Sequence, residues 1–438
     1  MSIEFTTLLL FGSLFLIFAT GLPIAFALGS VAMIYTLLLW GPKHLYIAAT
    51  SAFGQSESLT LIAIPMFILM GYILQTSGVA DNMFDCIHKW SGQIRGGLAM
   101  GTVVICTLFA ACCGVSGAAT VAMATIALPA MLKRGYDKHI AIGCVAAGGL
   151  LGLLIPPSVE MIIYGNVTGV SVGKMYWGGL IPGLILSSLY ITYIGVRSAL
   201  QPSLCPALLR EEMPTWRERF ISLRSLVPVI ILIILILGGM YRGIFTPTEG
   251  SFVGAIGAVI CAAIYRNLRW KVIKESLIKT LRISSMVMWI VITVSCFSNI
   301  YSALGAQELA LKIASRMPGG GYGVIIIMQL SLIFLGMIMD DFAVILIFAP
   351  IYAPIVQLLG FDPLWFGILF MVNIQMAWLT PPYGFNLFYM RGAVPKGITM
   401  VDIYRSVIPF IGLQFICLVL VLRFPILATW LPNLLIRR

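Results

Sequence analysis

Ile155-Pro156-Pro157-Ser158 interrupts a stretch that is otherwise almost wholly apolar, and 225 residues further on (156 to 381) Thr380-Pro381-Pro382-Tyr383 does the same. A proline has no backbone N–H to give and leaves a carbonyl free one turn back, so a double proline breaks a helix where it stands. The same offset carries Pro129, Gly135, Asp137 and Tyr164 onto Pro354, Gly360, Asp362 and Tyr389. Only seven positions in the 36 from 129 to 164 match their counterparts, Leu154 and Leu379 included. The weight therefore lies in which residues recur: helix breakers and a Gly-aromatic-Asp turn. The echo also extends upstream, to Ser77/Ser302 and Gly96/Gly321, and aligns Ser116 with Asp341 and Ala118 with Ala343. It predicts two homologous halves whose broken helices meet at a binding site.

Composition sets the medium. Of 438 residues, 60% are hydrophobic and 10% charged, and the mean hydropathy is +1.03, whereas soluble domains carry about a quarter charged residues. The chain is read as an all-α polytopic membrane protein, since long apolar runs such as 227–240, 252–264 and 286–300 approach the roughly 20 residues that span a bilayer. Its formal charge of +11 reflects basic residues in loops, which membrane orientation explains better than nucleic acid, and no nucleic-acid partner is expected. The nine cysteines form no CxxC pair and the three histidines no HExxH, so neither zinc nor a disulfide framework is expected. There is no GxxxxGK[ST] run and no constellation of nucleophile and base, so neither ATP hydrolysis nor an enzyme is expected. Glu4 and the missing basic n-region speak against a cleaved signal peptide.

Helices are expected at 5–19, 22–40, 58–77, 138–166, 176–198, 226–242, 248–265, 283–303, 362–390 and 400–423, with breaks at 152–158 and 379–384. Segments 97–133 and 322–359 are too long for one crossing and carry Cys113-Gly114-Val115-Ser116-Gly117 and Gly336-Met337-Ile338-Met339-Asp340-Asp341 at their centres. Non-helical backbone at membrane depth survives only when packed in protein or lining a cavity, so both read as re-entrant hairpins. The basic stretches 197–224 and 266–282 are placed in the cytoplasm as loops. Walking outward from them makes the first hairpin enter from the cytoplasm and the second from outside, an inverted repeat. The walk leaves the C-terminus outside although it ends Arg437-Arg438. The division expected is N-terminal scaffold helices (1–57), repeat 1 (58–198), connector and scaffold helices (199–282), repeat 2 (283–399) and a C-terminal helix and tail (400–438).

Freed carbonyls together with the hydroxyls of Ser116, Thr120 and Thr380 and the carboxylate of Asp340 make an oxygen set suited to Na⁺. The alternative is a pair of kinks with structural polar caps. Adjacent buried carboxylates at Asp340 and Asp341 cost a few kcal/mol without a partner, so Asp340 is expected to be linked to the ion and Asp341 to cap a helix. Asn386 is a candidate for hydrogen-bonding substrate, while Arg391 reads as an orientation anchor. Helix N-termini at the tips favour an anion between tips and breaks.

The stretches IPMFILMG (64–71), ALPAMLKRGY (127–136), GGLLGLLIPPSVEMIIYG (148–165), TPTE (246–249) and LTPPYGFNLF (379–388) resemble the large membrane subunit of tripartite ATP-independent periplasmic (TRAP) transporters. The resemblance spans nearly the whole chain. It implies a Na⁺-driven importer of organic acids in the bacterial inner membrane, with an elevator mechanism. It also implies a small four-helix membrane subunit, a periplasmic substrate-binding protein and surrounding lipid, with Na⁺ as coupling ion and no other cofactor. Carried over residue by residue, the sodium-binding regions fall on Ser116, Gly117, Gly152, Pro156, Gly336, Asp340, Thr380 and Pro381. Substrate is expected against Ala118, Thr120, Ser158, Tyr383 and Asn386. Departures are a first tip poorer in serine than is usual and a charged Glu160. A stand-alone Na⁺- or H⁺-coupled dicarboxylate carrier of the same superfamily is the alternative, as is, from another class, a membrane-embedded enzyme or structural scaffold.

Overall fold

The structure, a computed structural model, describes residues 2–114, 116–207 and 214–435. Val115 at the first tip, Arg210 in a basic stretch and Arg437-Arg438 lie outside the described residues, as does the side chain of Ser116. Among the described residues every regular element is helical, and eight segments are long and apolar enough to cross a membrane.

The chain opens with α1 (Ile3–Ala19), α2 (Ile24–Trp40), α3 (Tyr46–Ser56) and α4 (Leu59–Thr76). Next come α5 (Val79–Ser91), the hairpin α6 (Gly97–Cys113) and α7 (Ser116–Lys133), then α8 (Lys138–Gly149), a 3₁₀ turn (Leu150–Leu153), α9 (Val159–Thr168) and α10 (Val172–Leu200). A connector holds α11 (Trp216–Leu223), α12 (Val227–Tyr241) and α13 (Pro247–Ile264). The second half repeats the plan: α14 (Trp270–Ala303), α15 (Ala306–Arg316), the hairpin α16 (Gly320–Ile338) and α17 (Asp341–Leu358), the broken pair α18 (Pro363–Ala377) and α19 (Phe385–Ala393), α20 (Met400–Arg423) and α21 (Ile426–Leu435).

The echo has a structural cause. Gly135 and Gly360 both sit at positive φ, +75° and +78°, and each turns the chain into an aspartate that caps the next helix. Asp137 accepts from the amides of His139 and Ile140 (3.0 and 3.1 Å), and Asp362 from that of Leu364 (2.8 Å). Asp is at home there because its carboxylate satisfies orphan amides of the first turn. The bounds of α7 shifted by the same offset are those of α17. The Pro156-Pro157 and Pro381-Pro382 bonds are both cis.

The halves interlock rather than lie side by side. The tip helix α17 packs on α9, beyond the first break, and α7 packs on α19, beyond the second. Around this core stand α1–α4 and α12–α14, with α4 against α13 and α14 against α2, α3 and α4. Outward positions of these helices carry Leu8, Leu16, Phe26, Leu38, Ile231 and Ile256, all strongly exposed. In a bilayer these are lipid contacts, whereas in water they would make a patch far larger than soluble monomers tolerate.

Five helices were not anticipated: α3, α5, α11, α15 and α21. The basic stretch expected as a loop over 266–282 is helical from Trp270, so α14 runs 34 residues without a break. Likewise α10 extends to Leu200 and α11 lies inside 197–224. A polar chain crosses between core and surround: Ser58 Oγ donates to Asn166 Oδ1 (2.9 Å), Asn166 Nδ2 to Gln55 Oε1 (3.3 Å), and Gln55 Nε2 to Ser295 Oγ (3.2 Å).

Candidate functional site

The two tips end their first helices differently. After α6, Gly114 takes a left-handed conformation (φ +60°) and its carbonyl accepts from Val159 N (3.1 Å), which ties the first tip to the start of α9. After α16 the chain straightens at Met339, whose N–H still reaches the Leu335 carbonyl (2.8 Å), so the helical ladder ends there and the carbonyls beyond Leu335 have no helical donor.

The cap of α17 is Asp340 rather than the expected Asp341. Asp340 is the N-cap of α17 and accepts from Phe342 N (2.8 Å), while Asp341 is the first helical residue, 1% exposed, with its Oδ1 accepting from the same amide (2.7 Å). The backbone decides this: Asp340 has extended φ and ψ (−63°, 150°), the geometry a cap requires. Both carboxylates thus share one donor and retain lone pairs for a cation.

A cavity of about 290 Å³ opens where the tips converge. Gly117 and Ala118 of the first tip line it, as do Asp340 and Asp341 of the second, Trp378 and Tyr389 from the second break, Tyr72 and Gln75 of α4, and Lys279 and Arg282 of α14. Gly117 is a close approach: a Cβ there would lie 2.9 Å from the Tyr389 ring. Gln75 Nε2 reaches the Ala118 carbonyl (3.4 Å).

Of the residues singled out in the sequence, the cavity collects Gly117, Ala118, Asp340 and Asp341, and the other described candidates do not line it. Ser158 is fully buried: its hydroxyl donates toward Glu160 Oε2 (2.9 Å) and the Leu153 carbonyl (3.1 Å) and accepts from Met161 N (3.4 Å). It caps α9 and takes up a carbonyl freed by the break. Thr380 Oγ donates to Met376 O (2.8 Å), which leaves its oxygen lone pairs open to a cation. Asn386 is buried and donates to Ala146 O (2.8 Å), with Oδ1 unpartnered. Thr120 is buried with its hydroxyl unpartnered. Tyr383 is 54% exposed and packs beside Phe388. Gly152 and Pro156 are buried at the first break; Pro381 lies at the second, where the Pro382 carbonyl accepts from Tyr404 Oη (2.7 Å). Gly336 lies against α18, where a Cβ would come within 2.7 Å of Ala377 Cβ. Glu160 is fully buried with Oε1 unpartnered.

Lys279, Arg282, Gln75 and Tyr389 were not picked from the sequence. For the two cations a signal existed. Ser276, Thr280, Ser284 and Val287 form one buried stripe at helical spacing that runs straight through the supposed loop. Tyr389 was already marked by the echo, without a role.

An all-helical membrane bundle whose two inverted hairpins aim their tips into one cavity is the architecture of a secondary transporter. Two solved transporters share the fold. The Alcanivorax borkumensis YdaH transporter superimposes with a TM-score of 0.65 at 14% identity, over 93% of this chain and 98% of that one. Neisseria gonorrhoeae MtrF, from a class described as antimetabolite efflux pumps, gives 0.60 at 12%, over 89% and 84%. The family is settled by sequence: residues 11–427 match the tripartite ATP-independent periplasmic transporter, DctM component, and the chain belongs to that family. It is 35% identical to the C4-dicarboxylate TRAP transporter large permease protein of Pseudomonas aeruginosa over 91% of this chain and 92% of the relative. It is 31% identical to the isethionate TRAP transporter permease protein DctMQ of Oleidesulfovibrio alaskensis over 94% of this chain and 64% of that longer protein. With the ectoine TRAP transporter large permease protein of Halomonas elongata it shares 30% over 92% and 98%. The chain is a multi-pass inner-membrane transporter permease.

Proposed function

We propose that this chain is the membrane pathway of a Na⁺-driven importer of organic acid anions, which are delivered by a periplasmic substrate-binding protein. The observation that carries the reading is the cavity at the two hairpin tips, lined by the Asp340 and Asp341 carboxylates of the core and by Lys279 and Arg282 of the surround. Na⁺ binds at the tips and breaks, with Asp340, Thr380 Oγ and carbonyls of the broken helices as donors, a set of oxygens that suits a hard cation. Substrate sits beside it in the cavity. Charge placement along the chain puts Lys279, Arg282 and Lys138 on the cytoplasmic side, so the cavity opens inward.

Transport follows by an elevator movement in which the core, α6–α9 with α16–α20, slides against α1–α4 and α12–α14. The polar chain through Asn166 then forms on one side of the cycle and breaks on the other. A small four-helix subunit completes the surround, and the relative named DctMQ, which extends well beyond this chain's length, supports such a partner.

The test is uptake into proteoliposomes holding the permease and small subunit, with binding protein outside. A Na⁺ gradient directed inward is expected to drive accumulation of an acid, and Asp340→Asn to abolish its Na⁺ dependence. Full uptake by the chain without either partner, or accumulation indifferent to the Na⁺ gradient, overturns the reading.

A further inference from the structure

Arg219 on α11 is only 5% exposed, yet among the described residues it forms no ion pair, and its Nε finds no acceptor. Its guanidinium lies against the Trp216 ring, 4.8 Å from the centroid, a contact that orients the charge without neutralising it. The neighbouring acids are engaged elsewhere. Glu218 closes the capping box of α11 by accepting from Thr215 N (2.8 Å), Asp85 of α5 pairs with Lys89 (2.6 Å), and Asp81 stands near the far end of α5. A buried charge left without a partner is strongly destabilising, so the site calls for an anion from outside the described chain.

The depth of α11 says where that anion comes from. A single turn joins it to α12, with Ser225 N and Leu226 N reaching the Ser222 and Leu223 carbonyls (3.0 and 2.9 Å). Together Trp216–Tyr241 make 26 residues, about 39 Å of helix, against about 30 Å of hydrocarbon. With α12 filling the hydrocarbon, α11 stands among the headgroups, on the cytoplasmic side by charge placement. Its surface fits that layer. Trp216, Phe220 and Ile221 are exposed, and Trp90 of α5 meets the Phe220 and Trp216 rings edge-on (5.7 and 6.5 Å). Arg217 and Arg224 are exposed beside them.

We infer that α11 and the end of α5 form a binding site for an anionic phospholipid of the cytoplasmic leaflet, its phosphate on Arg219 and its acyl chains against Phe220 and Ile221. A guanidinium presents a planar fork of donors that matches a phosphate. Arg219 is covered on one side by the Trp216 ring, which is itself 66% exposed, so displacing one indole uncovers the charge. A zwitterionic lipid offers the same phosphate but brings an ammonium that Arg217 and Arg224 repel. The site also has a mechanical position. Trp90 Nε1 donates to the Arg219 carbonyl (3.1 Å), and α5 is the segment that joins α4 of the surround to the first hairpin. None of these residues lines the cavity at the tips, so the inference stands apart from the transport reading.

The test is a lipid titration of the full chain in detergent micelles, read as the unfolding midpoint. Dioleoylphosphatidylglycerol is expected to raise the midpoint where dioleoylphosphatidylcholine does not. Arg219→Met should raise the mole fraction of phosphatidylglycerol needed for half the effect by about tenfold or more, the scale of one charged hydrogen bond. Arg217→Gln with Arg224→Gln should raise it by about threefold or less, because exposed charges are screened. Without anionic lipid, Arg219→Met should be at least as stable as the parent, since an apolar chain replaces an unpaired buried charge.

A half-effect mole fraction moved less than twofold by Arg219→Met overturns the site. Glu211 and Glu212 lie outside the described residues. Equal destabilisation of Arg219→Met with and without phosphatidylglycerol, reproduced by Glu211→Gln with Glu212→Gln, would show a partner within the chain and overturn it too. Equal stabilisation by millimolar glycerol 3-phosphate would make the ligand a soluble phosphate and overturn the lipid assignment, as would loss of the phosphatidylglycerol effect once the small subunit is bound. A second measurement leaves Arg219 in place. Lipids with brominated acyl chains quench nearby indoles, and the share due to Trp216 is the difference between the chain and Trp216→Phe. That share should be larger with phosphatidylglycerol than with phosphatidylcholine at equal mole fraction, and equal shares overturn the inference.

Discussion

Replacing Gly336 by alanine should force two helices apart, and the cost can be worked from their spacing. A Cβ at Gly336 lies 2.7 Å from Ala377 Cβ, whereas carbon atoms rest about 3.5–4.0 Å apart, so α16 and α18 must separate locally by roughly 1 Å. They are not free to do so. Two turns away Asn373 Nδ2 donates to both the backbone and the side-chain oxygen of Gln329 (2.8 and 2.6 Å), which pins the same pair of helices. Overpacking of this kind costs about 1–3 kcal/mol. The assay is a double-mutant cycle in detergent, with unfolding midpoints for Gly336→Ala, Ala377→Gly and both together. Ala377→Gly alone, at the last residue of α18, should lose about 0.8 kcal/mol for its buried methyl group, and the double variant should recover most of the Gly336→Ala penalty. A coupling energy below about 0.5 kcal/mol, the level of independent sites, refutes the contact. The cycle also bears on the ion site. Alanine keeps the carbonyl that residue 336 offers, so Na⁺ affinity should return together with stability in the double variant. Recovery of stability with Na⁺ affinity still lost would show that the glycine serves the ion in some other way.

Asn166→Leu removes two hydrogen bonds between core and surround, worth about 0.5–1.5 kcal/mol each. It should shift the balance between inward and outward states about five- to a hundred-fold toward outward, read by accessibility labelling at a cavity cysteine; an unshifted ratio refutes the link. Thr380→Val should leave the unfolding midpoint almost unchanged, because the hydroxyl bonds only Met376 O within its own turn, yet weaken Na⁺ activation of uptake about tenfold or more, the loss of one ligand at a buried site; unchanged Na⁺ activation refutes its role as a ligand. Trp365→Phe strands the Val421 carbonyl that the indole N–H reaches at 2.8 Å and should lower stability by about 1–3 kcal/mol; a neutral result would mean that the carbonyl has another donor. Lys138→Ala breaks a 2.7 Å pair with Asp402 in which the lysine is 47% exposed, and should cost no more than about 1 kcal/mol, a loss that fades at high salt.

What the sequence disclosed follows from what kinds of residue leave a local trace. Breaks, turns and caps depend on a few residues with special backbone behaviour, so Gly135-Tyr136-Asp137 and its counterpart at Gly360 could be located and aligned before any geometry was known. Family membership followed from stretches that include the first of these turns and both double prolines, and the all-helical membrane fold from composition and the long apolar runs. Contacts across the bundle leave no such trace. That α17 rests on α9 and α7 on α19 depends on three-dimensional closure, and Ser158 looked like a free hydroxyl because nothing along the chain says that Glu160 and Leu153 already engage it. Which of Asp340 and Asp341 caps α17 turned on the backbone angles of one residue. The cations on α14 were hidden differently: a rule that counts lysines and arginines by side of the membrane assigns them to loops, and it outweighed the helical stripe at Ser276, Thr280 and Ser284. The amphipathic α5, with Val79, Met83 and Phe84 buried, escaped a search tuned to long apolar runs.

The exchange of partners between the two halves has a consequence for how the protein is made. Each hairpin rests on a helix encoded in the other half, so the first hairpin is synthesised long before its support exists. At about 5–20 residues per second the 252 residues from Lys133 to Phe385 (385 − 133) take roughly 13–50 s. During that interval a non-helical tip must wait in or beside the bilayer with backbone groups that lipid cannot satisfy. Chains released before α19 would therefore hold an unsupported first hairpin, an obvious mark for membrane proteases. Expressed as two separate polypeptides, the halves should each be short-lived alone and stable together.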